Sequence, residues 1–549
     1  MCRLGAAVLL LVVVSLAAAE LSDVRETLRH RLEAIPMEHA LMAGDVPVPA
    51  SAKVRDFYEQ RLYQPVWVYS DGSVPQAAGL LRAIEEAHGD ALEPADYHLD
   101  ALRQGVRRLE RLAEQGELPS RQIVDMELLL TGVWLQLGAD SLIGRLNPQA
   151  VDPAWHIQRP TADLVERLEQ ALRHERVYES LRDLLPSADG YLGLRDALAE
   201  HRRAVEDGGF TRVPPGPLLR YGDRDPRVPL LRQRLVESAD LGSAADADSD
   251  HLDAALEAAV RRFQARHGLQ ADGVVGPATL AELNTSADAR VRQIMVNMER
   301  WRWLPHDPGE WFIMVNIAGF DMVVVERGVP IMRQRVIVGR DYRQTPVFSG
   351  SMTYLVLNPS WEVPNSIAVR DILPQVRRDP AYLERMGFRV LQGWGAAERE
   401  IDPEMVDWQQ VSATGFPYRF RQKPGPLNAL GTVKFMFPNR YAVYLHDTPA
   451  RDLFRHTDRA FSSGCIRVEH PLDLVDFLLE GSNRWTPRAV REALTDGRER
   501  TVTLPRAMPV HLVYMTAWTD SHGELQLRND IYNRDQRVVE ALLQLNSRG

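Results

Sequence analysis

The sequence predicts a multidomain α+β protein: a long helical region, then a small three-helix bundle, then a mostly β region that carries an inserted subdomain. Three observations predict it. At 549 residues the chain is too long to bury a single core, which points to three or four units. Apolar residues recur at helical spacing from about residue 20 to 220, as in "ADLVERLEQALRHERVYESLRDLL". From Trp311 the pattern turns to period two, as in "WFIMVNIAGFDMVVVERGVPIMRQRVIVG".

The opening "MCRLGAAVLLLVVVSLAAAE" has Arg3 as a positive start, an apolar run from Leu4 to Leu16, and a small-residue site at Ala17, Ala18 and Ala19. It predicts a secretory signal over 1–19, cut after Ala19. The apolar run is shorter than the roughly 20 residues that a spanning helix needs, so a membrane tether is expected only if the signal is retained. Cys2 lies before the run, where a lipid anchor would need its cysteine after it. The expected location is therefore the periplasm.

Residues 20–220 carry no chemical motif and are expected to form a helical scaffold. The aromatic island "FYEQRLYQPVWV", Phe57 to Val68, reads as packing between helices. Prolines and glycines in "FTRVPPGPLLRYGDRDP" then mark a boundary. Over 221–286 a compact module follows, with Leu252, Leu256, Ala259, Val260 and Phe263 on one helical stripe. Asp272-Gly273 supplies a turn, and Gly276-Pro277 opens a last helix with proline at its first position.

The β region spans 287–549. Its strands include "MTYLVLNPSWEVP" and "TVKFMFPNRYAVYLH", the latter with a Pro438-Asn439 turn, and the end, "TVTLPRAMPVHLVYMTAWTDSHGELQLRNDIYNRD", is expected to complete the sheet. Between them, about 371–430 is a mixed helical and Pro/Gly-rich insertion. An excursion of that length between strands of one sheet reads as a lid.

Composition excludes some functions. The net charge is −10, from 65 basic against 75 acidic residues, with no basic tail, so no nucleic-acid partner is expected. Lys53, Lys423 and Lys434 are the only lysines, a poor supply for Schiff-base chemistry.

Apart from Cys2, the chain has one cysteine, Cys465, in the turn "SSGC". In an exported protein an unpaired thiol calls for a chemical account. A catalytic thiol needs a base or a positive field beside it, because few thiols are ionised at neutral pH. His446, His456 and His470 are near in sequence. Alternation along "RYAVYLH" puts Tyr444 and His446 on one face at a strand's end, and Val443 and Leu445 on the other, so His446 is the preferred base. His456 reads as a solvated loop residue and His470 as local to the start of the helix "PLDLVDFLLEG". Gly464 allows a turn in which the backbone N–H groups of Ser463, Gly464 and Cys465 face an oxyanion. Arg467 is placed either to hold a carboxylate or to brace the turn. The cysteine and histidines lack the paired spacings of a zinc site, so no metal is expected.

The module text "AVRRFQARHGLQADGVVGPATLAELN" resembles the peptidoglycan-binding module of bacterial wall enzymes. "HDTP", followed nineteen positions after His446 by the cysteine of "SSGCIRV", resembles the L,D-transpeptidase catalytic domain of the YkuD type. The longer stretches "NMERWRWLP", "RVIVGRDYRQTPVF", "YLVLNPSWEVPNSIA" and "RAFSSGCIRV" are similar to the large YcbB-like branch of Gram-negative bacteria. Ser463 departs from the commoner Ser-His-Gly-Cys pattern, which removes a rival base. The resemblance implies Cys465 as nucleophile, His446 as general base, oxyanion donors near Gly464 and Cys465, and no cofactor. It implies a thioester reaction on peptidoglycan tetrapeptide stems as donor and acceptor, with loss of terminal D-alanine and a 3-to-3 cross-link. Carbapenem acylation, association with the cell wall, and wall-synthesis or carboxypeptidase partners follow from the same resemblance. The insertion from about Tyr418 to Asn428 is expected to close over the cleft, with Trp361 and Tyr444 as wall residues.

The alternatives differ in chemistry. With water as acceptor the site is an L,D-carboxypeptidase, and with a free D-amino acid it exchanges the terminal residue. An NlpC/P60-like endopeptidase would place its cysteine before its histidine. A wall-binding scaffold without catalysis accounts for the bundle and the helices, but not for Cys465, His446 and Gly464 together.

Overall fold

Helices fill the chain to residue 302 and strands dominate after it, as the change of period requires. The computed structural model describes residues 22–69, 71–242 and 248–546. The signal expected over Met1–Ala19, with Cys2, lies outside these residues. Among the described residues no helix is long and apolar enough to cross a membrane.

The helical region is organised around α1, Ser120–Ile143, which is apolar on nearly every face and buries Leu128, Leu130, Val133, Trp134 and Leu135. Helices Ser51–Gln60, Ala77–Ala87, Leu99–Glu114 and Leu164–Arg173 pack around it. An acidic group deep in this core, Glu127, accepts hydrogen bonds from the N–H groups of Val66, Trp67 and Val68 and from the Tyr58 hydroxyl. Tyr58 and Trp67, in the aromatic island, are fully buried in the same core.

The bundle has three helices, Val228–Glu237, Ala254–Arg266 and Pro277–Leu283. Leu252, Leu256, Ala259, Val260 and Phe263 form the buried stripe. Gln264 ties the Asp272-Gly273 turn, donating to Asp272 Oδ1 at 2.9 Å and accepting from Gly273 N–H at 2.8 Å. Helix α2, Ala287–Arg302, then joins the units. Its Glu299 accepts from Leu146 N–H of the helical region at 2.9 Å, and its Arg300 pairs with Asp535 of the last helix at 2.6 Å.

Nine strands follow: β1 Trp311–Asn316, β2 Asp321–Glu326, β3 Val329–Gly339, β4 Phe348–Leu357, β5 Val433–Met436, β6 Leu445–His446, β7 Ala460–Ser462, β8 Ile466–Val468 and β9 Arg500–Val513. Their order is β7-β3-β8-β6-β5-β4-β9-β1-β2, and β2 pairs back onto β3, so eight of them close around one core. Ile313, Val315, Val336, Val338, Leu355, Phe435, Leu445, Ile466, Val510 and Leu512 fill that core. Closure leaves few unpaired edges and makes a rigid platform for a site. Only β9 of the C-terminal text joins this sheet. Ala517–Thr519 and Leu525–Leu527 make a separate hairpin against the scaffold helix Asp189–Glu206.

Between β4 and β5 the chain builds a cap with its own four-stranded sheet, Trp361–Glu362, Phe388–Gln392, Arg399–Ile401 and Arg419–Gln422. Its core includes Val363, Leu373, Val376, Val390, Trp408, Phe416 and Phe420. The folded unit thus runs from 361 to 422 rather than from 371 to 430, because Trp361–Glu362 pairs with Arg421–Gln422 instead of extending the barrel. A helical run from Asn365 to Arg378 faces the barrel mouth and contains a π-helical turn at Ala368–Ile372.

Candidate active site

At the mouth of the barrel, β6 lies between β5 and β8, and register fixes the site. His446 stands opposite Lys434 on β5 and opposite Arg467 on β8. Regular strand pairing covers only Leu445–His446. Leu445 enters the core and His446 lines the cavity beneath the cap, while Val443 and Tyr444 each touch both.

The imidazole of His446 is buried, and its Nδ1 lies 2.5 Å from the carbonyl oxygen of Asp447. A carbonyl only accepts, so Nδ1 carries the proton and Nε2 presents a lone pair. Asp447 is itself immobilised. Its carboxylate accepts from Thr432 N–H and Oγ1 at 2.8 Å each and from Thr448 N–H at 2.6 Å, and it pairs with Arg451.

Cys465 ends the turn between β7 and β8. Gly464 has φ of 114°, a region that side-chain-bearing residues rarely adopt, so the turn itself selects glycine. The Gly464 N–H donates to Ser462 Oγ at 3.0 Å, and Ser462 Oγ donates to the Cys465 carbonyl at 2.5 Å. Gly464 N–H is therefore engaged, which corrects its expected place among the oxyanion donors. Ser463 and Cys465 are the turn amides left without such a bond among the described residues. The Cys465 thiol is directed at the Ala442 carbonyl, 3.8 Å away, rather than at the imidazole.

A loop between β3 and β4 supports this turn. The fully buried Thr345 hydroxyl accepts from Gly339 N–H and donates to the Gly464 carbonyl, both at 2.9 Å. Tyr532, from the C-terminal segment, donates to the Gly339 carbonyl at 2.5 Å. Arg343 reaches outward, donating to Ser463 Oγ at 2.8 Å and to both carboxylate oxygens of Asp371 on the cap, at 2.5 and 3.1 Å. One guanidinium thus joins the cysteine turn to the cap.

The cavity between barrel and cap has a volume of about 610 Å³ and is lined by His446, Cys465, Tyr444, Trp361, Arg467 and Arg343, among others. Its charge is positive, with Arg340, Arg343, Arg370 and Arg467 against Asp371. Burial, reinforced by Arg467 and Lys434, pulls the His446 pKa down to about 3, so the imidazole is neutral. Burial pushes the Cys465 thiol up, opposed by Tyr444, Lys434 and Arg467. Burial pulls the Arg467 guanidinium down, and its Nε has no hydrogen-bond partner.

Of the residues singled out from sequence, Cys465, His446, Ser463, Gly464, Arg467, Tyr444 and Trp361 share this cavity. Tyr418 and Asn428 do not. Tyr418 packs in the cap core against Trp408 and Phe416. Asn428 is buried where the cap rejoins the barrel, and its amide donates to the Pro359 and Lys423 carbonyls at 3.0 Å each. Both were expected over the cleft because the Pro/Gly-rich end of the insertion reads as a loose lid, whereas their side chains are structural. His456 and His470 lie on exposed ground away from the cavity. Arg343, Thr345 and Lys434 carried no sequence signal beyond proximity to strand ends.

Comparison with known proteins agrees with this layout. Residues 310–490 match the family model of the L,D-transpeptidase catalytic domain (YkuD). Residues 224–283 match that of a "Putative peptidoglycan binding domain", and residues 52–198 that of a scaffold domain. A Haemophilus influenzae protein named "Putative L,D-transpeptidase" is 35% identical over 255 residues, covering 46% of this chain. The chain spans about half, 50%, of the length of that curated relative. An L,D-transpeptidase structure from Xylanimonas cellulosilytica aligns over 55% of this chain and 100% of its own at 18% identity, with a TM-score of 0.18, too low to carry an argument. The barrel with its cavity thus belongs to the YkuD family of L,D-transpeptidase catalytic domains, in a chain that also carries a peptidoglycan-binding domain and a scaffold domain.

Proposed function

We propose that this chain is a peptidoglycan L,D-transpeptidase of the periplasm that forms 3-to-3 cross-links through a thioester on Cys465. The observation that carries the reading is the shared cavity. A thiol, an imidazole with its Nε2 free, and the unbonded amides of Ser463 and Cys465 open onto one space large enough for a peptide stem.

Cys465 Sγ turns from the Ala442 carbonyl, a change in a single torsion, and attacks the carbonyl carbon joining the third stem residue to the terminal D-alanine. The thiol proton passes to His446 Nε2 as the C–S bond forms. The amides of Ser463 and Cys465 face the oxyanion. The C–N bond then breaks, the proton leaves on the D-alanine amine, and the thioester remains. The side-chain amine of a second stem attacks the thioester, gives its proton to Nε2 and expels the sulfur, which recovers that proton. Trp361 and Tyr444 wall the stem and Arg467 holds a stem carboxylate. The bundle keeps the enzyme on the wall polymer.

The test is mass spectrometry of the protein and of Cys465→Ala after incubation with disaccharide-tetrapeptide. Cross-linked dimer with loss of D-alanine from the unaltered protein alone is expected. Trimmed monomer without dimer would make the enzyme a carboxypeptidase, and no change in either would leave a wall-binding scaffold. Stoichiometric acylation of Cys465 by a carbapenem is the companion expectation.

A further inference from the structure

Just behind the wall of the cavity lies a cation without a counter-ion. Lys434 is one of three lysines in a chain with 65 basic residues, and it occupies β5, where neighbours Val433 and Phe435 enter the barrel core. Its side chain therefore leaves the other face of the sheet, the face that carries His446, its partner in register. The ammonium Nζ lies 4.0 Å from the centroid of the Tyr444 ring. Among the described residues it forms no ion pair, and the acidic group whose field reaches it, Glu499, is already engaged by the N–H and Oγ of Ser360.

An ammonium in this position is unfavourable on local grounds. Lysine is disfavoured in strands, and removing its charge from water without a carboxylate is costly. Stacking on an aromatic face returns only about 0.5–2 kcal/mol. Burial duly holds the Lys434 pKa below that of a free lysine. What the position gains is proximity to the reacting groups. The ammonium stacks on the Tyr444 ring, Tyr444 in turn interacts with the Cys465 thiol, and His446 is one strand away.

We propose that Lys434 is a positioning residue for the nucleophile: seated over Tyr444, it supplies a fixed positive charge that favours the Cys465 thiolate. The proposal rests on the reading of Cys465 as the nucleophile. The other charged groups around the thiol come from every neighbouring element. Arg467 projects from β8, Arg340 and Arg343 from the loop after β3, and Arg370 and Asp371 from the cap, beside the polar but uncharged Tyr444. Arg343 is neutralised by Asp371. Lys434 and Arg467 are the two cations whose fields act on both Cys465 and His446.

The experiment follows the rate of Cys465 alkylation by iodoacetamide from pH 6 to 10, read by mass on the Cys465 peptide. It compares the full chain with Lys434→Met, Lys434→Gln and Lys434→Arg. Both neutral variants are expected to alkylate roughly tenfold more slowly at each pH below the thiol's midpoint, the effect of a rise of about one pH unit. Lys434→Arg should restore the original profile. In turnover with a tetrapeptide donor, kcat should fall by a similar factor while the Michaelis constant stays within about twofold. Profiles of the neutral variants that superimpose on the unaltered protein, with matching far-UV circular dichroism, would overturn the proposal, as would Lys434→Arg behaving like Lys434→Met. Alkylation reads the thiol itself, so a shifted profile in a protein that makes no cross-link would keep this inference and reject the transpeptidase reading.

Discussion

Replacing Thr345 by valine tests whether the loop after β3 holds the Cys465 turn. Valine keeps the shape and removes only the hydroxyl, which is fully buried and makes two hydrogen bonds of 2.9 Å. No cavity forms, so the cost comes from the partners left behind. Gly339 N–H and the Gly464 carbonyl lose their bonds in a place that solvent does not reach, at about 1–3 kcal/mol for each unsatisfied group. We expect a loss of about 2–4 kcal/mol from the catalytic domain. At roughly 2–4 °C per kcal/mol for a domain of this size, its melting midpoint should fall by about 5–15 °C. The activity should fall further than stability alone explains, because the Gly464 carbonyl is one peptide from Cys465 and its release lets the turn relax. Thr345→Ser keeps the hydroxyl and should retain most turnover. Scanning calorimetry and donor turnover measured well below the transition are the assays. A Thr345→Val protein that melts within a degree of the unaltered one and turns over normally would refute the reasoning.

Two further predictions concern charge and the cap. The folded-state pKa of His446, about 3, lies below its unfolded value, so the unfolded chain binds the extra proton as pH falls from about 6.5 towards 3 and stability drops through that window. His446→Gln should flatten this part of the pH dependence in urea titrations at pH 7 and pH 4.5; equal losses in both proteins would show that the imidazole is not the group responsible. Asp371→Asn removes the carboxylate that Arg343 holds across the cleft, and because Asp371 is partly exposed the effect on stability should be under about 1 kcal/mol. The Michaelis constant for donor should rise several-fold instead, and an unchanged value would argue against a tie between cap and turn.

Much of the fold can be read from periodicity alone, because the relevant contacts repeat along the chain. The stripe from Leu256 to Phe263 is buried as a helix face requires, with Leu252 buried just ahead of the helix start, and alternation puts Leu445 in the core and His446 in the cavity, although Val443 and Tyr444 each touch both. Cys465 is conspicuous because it is the chain's one cysteine apart from Cys2. What periodicity does not carry is contact between distant segments. Thr345 meets Gly464 across 119 positions, and Tyr532 meets Gly339 across 193, so nothing near either residue advertises the bond. The start of the cap is hidden for a related reason. "YLVLNPSWEVP" is strand-like throughout, and only the pairing of Trp361–Glu362 with Arg421–Gln422 assigns its second half to another sheet. Tyr418 and Asn428 sit in text that reads as a loop, and it is the cap's own core and the carbonyls at its base that make them structural.

Serine in place of the histidine common before Gly-Cys changes what the turn is connected to. A histidine at 463 would offer a second base, whereas the Ser463 hydroxyl accepts from Arg343, whose other bonds go to Asp371 of the cap. The planar guanidinium serves both partners at once, a geometry that a lysine cannot reproduce. The cap has its own sheet and core, and a movement of it as a body would either break the Arg343–Asp371 pair or pull on the residue two before Cys465. Presentation of the thiol and the position of the cap are therefore coupled through one side chain. With Nδ1 of His446 held by Asp447 and the Gly464 carbonyl held by Thr345, a turn of the Cys465 side chain away from the Ala442 carbonyl is the motion that the proposed chemistry requires.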